Sequence, residues 1–279
     1  MVKNLIMICI GVFFTPLFTF AQVWEVGAFL GGSAYAGDLT PGLIDTKQIH
    51  PAGGILVRYT VSKYFTIKGN AYDGTISGDD ADATNPKNVR RSLNFRSNIL
   101  DVGLNGEINI TGFEPTSRYY KSQYKTSPYI FLGVSVFNFD PQGYDKVSGK
   151  WVRLQPLGTE GQGTPRYNDR QKYALTQIAI PFGLGFKHNL SEHWNIGLEI
   201  GFRKTFTDYL DDVSDSYIPN DYLSHFSGAL AARMALGNNL ANLAYTDNTL
   251  RGNPNTDDWY MMAGITITYV ILPPYCPHF

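Results

Sequence analysis

Between Trp194 and Arg203 the chain alternates without a break. Trp194, Ile196, Leu198, Ile200 and Phe202 are apolar, and Asn195, Gly197, Glu199, Gly201 and Arg203 stand between them. Successive side chains leave a strand on opposite faces, so a period of two predicts a strand with one oily face and one polar face. The same alternation, with charge on the polar rows, recurs along most of the chain. A secreted soluble sandwich or a lipocalin-like barrel is the competing reading. It would turn its apolar rows to a core and its polar rows to water. Here Glu25, Arg58, Lys68, Asp101, Glu107, Glu199 and Arg203 sit on the rows that a closed barrel turns inward. The chain therefore reads inside out, as a membrane barrel whose interior charges pair and fill it.

Taken in order, the first strand runs from Glu25 past Tyr35 and gives way to a polar loop at Gly37-Asp38. Gly54–Tyr59 and Phe65–Ala71 read as a hairpin turning at Ser62-Lys63. Thr75 to Ser92 reads as a loop rich in Asp, Asn and Gly. The fourth strand, Leu100–Ile110, is followed by a connection with Pro115 and several tyrosines. The fifth, around Ile130–Val136, ends near Asn138–Pro141 and leads into a long polar loop. The sixth spans Gln177–Lys187, a short turn covers Asn189–His193, and the alternating stretch above is the seventh. The longest insertion, Thr207–Asp258, contains Phe226, Leu230 and Met234 at helical spacing among alanines, which predicts a short helix from about Tyr222 to Leu236. The last strand, Trp259–Ile271, stops at Pro273-Pro274, because proline supplies no ladder donor. A strand reading of Ala229–Leu236 would raise the total to ten. The favoured sum is eight strands, an even number, with long and short connections alternating. That is the pattern of an all-β, transmembrane, antiparallel up-and-down barrel with long outer loops, the last carrying a short helix.

The first 21 residues stand apart. Lys3 supplies a positive start, Leu5–Phe14 an apolar stretch, and Thr19-Phe20-Ala21 a small-x-small cleavage site. This predicts a secretory signal peptide over residues 1–21 and a single barrel domain over 22–279. Beyond it no segment reaches the ~20 apolar residues of a membrane helix. The net charge of -1 points to no nucleic-acid partner. The 18 Tyr and 17 Phe suit aromatic girdles at the two membrane interfaces. Cleavage leaves Cys276 as the only cysteine, so no disulfide forms within the chain.

A search for chemistry yields no constellation. His188, Glu192 and His193 lack the spacing of the inverted zinc motif, which needs two residues between the first His and the Glu, and they fall in a turn. Asp208, Asp211, Asp212 and Asp215 lack a glycine-punctuated calcium loop and read as a solvated loop. Asp79, Asp80 and Asp82 read as a soluble loop tip. Gly183 and Gly185 open no helix, so they make no dinucleotide fingerprint. No serine pairs with a His and an Asp by sequence. The expectation is no enzyme, no cofactor, no metal and no small-molecule substrate.

The first strand carries a recognisable run, Glu25-Val-Gly-Ala-Phe-Leu-Gly-Gly-Ser-Ala-Tyr-Ala-Gly-Asp-Leu39. With Thr207-Asp-Tyr-Leu-Asp-Asp-Val-Ser214 and the ending Cys276-Pro-His-Phe279, it resembles the DUF6089 family of Bacteroidota outer-membrane barrels. The likeness spans nearly the whole mature chain. That family includes PorG of the type IX secretion system. The resemblance implies an outer-membrane barrel tied to a periplasmic ring of PorK and PorN type, supporting secretion and, in gliding species, motility. It brings no catalytic residues. Partners are then outer-membrane lipids and ring proteins. Contact candidates are Arg118, Tyr119, Tyr120, Lys121, Tyr124 and Lys125 in the Thr111–Ser127 connection, and Tyr275, Cys276 and Phe279 in the tail, because Tyr and Arg favour interfaces. An aromatic girdle with solvated lysines is the plainer reading of the first group. The alternative function is a small transporter or pore of OmpX or OmpW type.

Overall fold

The computed structural model describes residues 23–40, 42, 45–116, 123–237, 239 and 249–272. The expected signal peptide, residues 118–121 and the tail from 273 lie outside the described residues. Among the described residues ten strands form: β1 Val23–Ala36, β2 His50–Ser62, β3 Phe65–Asp79, β4 Asn94–Asn109, β5 Thr126–Phe139, β6 Gln142–Asp145, β7 Lys150–Arg153, β8 Thr176–Asn189, β9 Trp194–Thr205 and β10 Trp259–Ile271. Eight of them close a ring. Each pairs antiparallel with its neighbours in chain order, β5 passing directly to β8, and β1 meets β10 from Trp24↔Ile271 to Ala36↔Trp259. Closure removes both edges, so no row of backbone donors is left for lipid to face. β6 and β7 are a four-residue hairpin beyond the ring, joined to it through Arg96↔Gln142.

The period of two divides the wall as a lipid-facing barrel requires. Leu30, Ile55, Leu132, Val134 and Leu184 point outward and are 59–67% exposed, whereas Glu25, Arg58, Lys68, Glu107 and Lys187 point inward and are at most 2% exposed. A water-soluble monomer does not carry an aliphatic surface of this extent. Aromatic residues bound it. Trp24 packs on Tyr59 and Trp194 on Tyr269 near one end, and Phe182 contacts Phe202 and Trp259 near the other. Tyr269 and Trp259 are ten residues apart on β10. That is roughly 33 Å along a strand, which a tilt of about 40° reduces to about 25 Å of height, the apolar band of a membrane barrel. Among the described residues no helix is long and apolar enough to cross a membrane.

Connections alternate in length around the ring. At one end, the turn end, β2–β3, β4–β5 and β8–β9 are joined, β1 starts and β10 finishes. The other end carries the four long loops. The first turn lies at Lys63-Tyr64, one residue later than the alternation predicts, because the pairing shifts between Thr60 and Ser62. β3 continues to Asp79 and pairs with β4 as far as Asn94, so Thr75–Asp79 is strand where a loop is expected. The rest of that segment holds α1, Pro86–Arg91. The predicted single helix is two, α2 Asn220–Ser227 and α3 Ala229–Ala235. Gly228 breaks it at φ 91°, ψ 163°, a conformation essentially reserved to glycine.

Candidate functional site

Two buried regions are candidates: the barrel interior and the cap formed by the long loops. In the interior, β1, β2, β3 and β8 each turn one charged side chain to the axis, and β4 and β9 each turn two. Glu107 accepts from Arg58 at 3.2 Å and from Lys187, and lies 3.5 Å from Lys68. Glu199 accepts from Lys68 at 2.5 Å and from the Tyr129 hydroxyl at 2.8 Å, with Arg58 at 3.7 Å. Glu25 accepts from Asn195 and Thr268. Nearer the loops, Asp101 accepts from Tyr260, Ser135 and Asn70, with Arg203 at 3.9 Å. All seven charged residues read from the sequence as interior are buried there. Lys187 and Tyr129 complete the network. Lys187 falls on the polar row of its strand, so the period-two pattern itself marks it as inward. Charges in low dielectric survive only when paired and hydrogen-bonded, and this set packs the lumen with ion pairs.

The turn end is closed as well. Phe113 is 1% exposed and lies under the Lys187 ammonium, 5.5 Å from its ring centre. The Pro115 carbonyl accepts from both Asn189 and Asn195, which fixes the β4–β5 connection across the mouth. Of the contact candidates there, Tyr124 is held by Lys63, whose ammonium donates to its hydroxyl at 3.2 Å and stands 4.4 Å from its ring centre. The Lys125 carbonyl accepts from the Asn189 backbone. Arg118, Tyr119, Tyr120, Lys121, Tyr275, Cys276 and Phe279 lie outside the described residues.

Above the ion pairs the interior turns aromatic. Phe29, Tyr72, Phe95, Phe137 and Phe139 form a core that continues into the loops through Tyr173 and Tyr209, which stack at 4.7 Å. Over it sits the cap. Asp80 receives both forks of Arg91, at 2.8 and 2.7 Å, and the Leu93 amide. Glu160 accepts from Arg251 at 3.0 Å and from the amides of Ser214 and Asp215. Asp212 accepts from Thr159 and from Tyr173. The Tyr35 hydroxyl lies between Asp211 and Asp258. Asp80, Asp211 and Asp212 are thus buried, not the solvated loop residues that the sequence suggests, because arginines and tyrosines distant in the chain enclose them. Burial pushes the Asp212 carboxyl up to about 6 against the pull of Arg251, and pushes Asp208 up to about 8. Burial and neighbouring carboxylates raise Asp211 and Asp258 well above the usual range.

Among the described residues no group of three or more His, Cys, Asp or Glu is arranged to hold a metal. The outer ends of β2 and β3 do bring Ser77 to 2.6 Å from His50 Nε2, a pairing invisible in the sequence. Ser77 also donates to the Gln48 side-chain oxygen, and no described hydrogen bond joins the imidazole to a carboxylate. The pair therefore lacks the orienting acid of an activated nucleophile. His188 bonds Thr126, and His193 packs edge-on against Tyr269.

Compared with known proteins, the chain matches the profile of a family described as a domain of unknown function, DUF6089, over residues 3–151 and 162–232. No curated protein matches it. Among solved structures it is similar to Ail, the attachment invasion locus protein of Yersinia pestis, at 8% identity and TM-score 0.42, covering 90% of this chain and 100% of that one. It is also similar to the outer membrane protein OprG of Pseudomonas aeruginosa, at 11% identity and TM-score 0.40, covering 91% and 97%. Neisserial surface protein A matches at 7% identity and TM-score 0.39, covering 88% and 96%. These likenesses are distant, and the fold rests on this chain's own ladder.

Proposed function

The chain belongs to the DUF6089 family, and from that premise we propose that it is an outer-membrane barrel of the type IX secretion system, an anchor tying a periplasmic ring to the membrane. The observation that carries the reading is the filled interior. Glu107, Glu199, Arg58, Lys68 and Lys187 occupy the lumen, and Phe113 and Pro115 cross its mouth. Such a barrel offers its partners surfaces, not passage, and the transporter or pore reading gains no support from it. The aliphatic belt and its flanking aromatics support residence in a bilayer. The long loops then face the exterior, and the short turns face the periplasm. The inner-face aromatics, Tyr64 and Tyr124 with Lys63 between them, suit either a headgroup anchor or a protein contact.

In this reading the partners are outer-membrane lipids and ring proteins of PorK and PorN type, met by Tyr124, Lys125, the segment 118–121 and the tail residues Tyr275, Cys276 and Phe279. No nucleic acid, small-molecule substrate or catalysis is involved. The test is a clean deletion combined with crosslinking. A photoreactive residue at position 124, 125 or 275 is expected to capture a ring protein, and the deletion to leave secreted cargo inside the cell. Normal secretion by the deletion strain would remove the proposal.

A further inference from the structure

The Tyr35 hydroxyl lies 2.7 Å from Asp211 Oδ2 and 2.8 Å from Asp258 Oδ1, and each of the three residues is 1% exposed. A phenol has one proton to donate. It satisfies one of these contacts, and the other brings two oxygens together at hydrogen-bond distance with no proton of the phenol's between them. The outer oxygens of both carboxyls are already taken: Asp211 Oδ1 accepts from the Val213 amide and Asp258 Oδ2 from the Leu210 amide, both at 2.9 Å. A second proton therefore belongs on Asp211 Oδ2 or Asp258 Oδ1, directed at the Tyr35 oxygen. We propose that one proton shared by Asp211 and Asp258 through Tyr35 is a latch that closes the long β9–β10 loop onto the barrel.

The three residues come from the three parts that the latch joins. Tyr35 is on the barrel wall in β1, Asp211 is in the descending limb of the loop, and Asp258 is at its return into β10. Gly37 lies so close under the latch that a Cβ there would fall 1.9 Å from Asp258 Oδ1 and 2.0 Å from the Tyr35 hydroxyl oxygen. The surrounding charges favour a bound proton. Asp38, from the loop after β1, and Asp208, from the same limb as Asp211, add negative charge. Arg91 of α1 pulls Asp211 the other way, while it also donates to Asp80 and to the carbonyls of Asp38 and Arg251. Both latch carboxyls are accordingly raised, by burial first and by neighbouring carboxylates next.

The sign follows from linkage. A closed loop that holds a proton which the open loop releases near pH 4 becomes easier to open as pH rises, until the closed state loses the proton too. The opening constant gains about a factor of ten per pH unit from this one proton. An amide replaces it. In Asp258→Asn the side-chain oxygen accepts from Leu210 while the NH2 donates to Tyr35, whose hydroxyl turns to Asp211. Asp211→Asn does the same with Val213 on the other side.

The experiment is hydrogen exchange of segment 206–217 in the full barrel refolded in detergent, from pH 5 to pH 8, corrected for intrinsic exchange. Gel mobility of the unheated barrel confirms closure of the ladder. In each single variant the opening constant is expected to lose one proton of pH dependence, about tenfold per unit, and the loop to stay closed at low pH. Tyr35→Phe is expected to open the loop at every pH. Asp208 and Asp212 titrate in the same range and remain in the single variants, so a slope equal to wild type in both variants assigns the whole effect to them and overturns the latch. Loss of loop protection at low pH in both single variants, with the barrel intact, overturns it too, since the amide satisfies every bond that the protonated acid makes.

Discussion

The barrel interior and the loop cap bury charge under different rules. Inside the barrel Glu25, Asp101, Glu107 and Glu199 are matched one for one by Arg58, Lys68, Lys187 and Arg203. In the described loops and their edges the buried charges are Asp45, Asp80, Asp145, Glu160, Asp211, Asp212 and Asp258 against Arg91 and Arg251. The wall around the first set faces lipid, where no water can supply a proton or a counter-ion, so the sum must close on itself. The cap borders water and settles its excess by keeping protons, as the raised carboxyls of Asp208 and Asp212 record. Balance makes a region indifferent to pH, and acid excess makes it responsive.

The largest expected effect strikes the balanced region. Glu107→Ala takes away the carboxylate that Lys187 pairs with and leaves Arg58 and Lys68 with Glu199, and removing one side of a buried pair costs about 3–5 kcal/mol. Urea unfolding of the barrel in vesicles, followed by gel mobility, is expected to show that loss. In the cap the matching change is Arg251→Ala, which strips the cation from Glu160 and Asp212. Its cost is expected to be about 2–3 kcal/mol, because those carboxyls can take up protons from the loop side. Hydrogen exchange of the loops, with the strands unaffected, is the readout. An equal loss in both variants would erase the distinction between the regions.

The pH series comes next. Asp208 and Asp212 are raised in the folded cap, so the cap binds more protons than the open loops above pH ~4. Cap protection is therefore full below about pH 4 and falls as pH rises, through about 6 for Asp212 and about 8 for Asp208. Each group contributes about 1.4 kcal/mol per pH unit at most, less for Asp208, which is only partly buried. Strand amides in the middle of β4 and β9 are expected to keep their protection across the same range. The smallest effect belongs to Gly228→Ala, which forces a Cβ into φ 91° at the α2–α3 break and is expected to cost about 1 kcal/mol in the cap alone.

The same contrast explains what the sequence discloses. Within the lipid band the outward rows are apolar and the charges fall on the inward rows, so the eight strands and the inward Glu25, Arg58, Lys68 and Glu199 are readable from period alone. Above the band, the outward face meets water and the constraint lapses. Thr75, Ser77 and Asp79 are outward residues of β3, yet they read as loop. The β6–β7 hairpin is four residues a side, too short for alternation to stand out. In the cap, burial comes from partners far away in the chain. Arg251 reaches Glu160 across 91 residues and Tyr35 reaches Asp258 across 223, and no local pattern announces either. Asp80, Asp211 and Asp212 carry the residue type of a solvated loop and the surroundings of a core.

The most direct test of the central claim is electrical. The mature barrel, refolded and inserted in a planar bilayer, is expected to pass no sustained current at neutral pH, since ion pairs around Glu107 and Glu199 fill the lumen and Phe113 closes its inner mouth. Stable, resolvable conductance steps from the folded barrel would contradict that account and restore the pore.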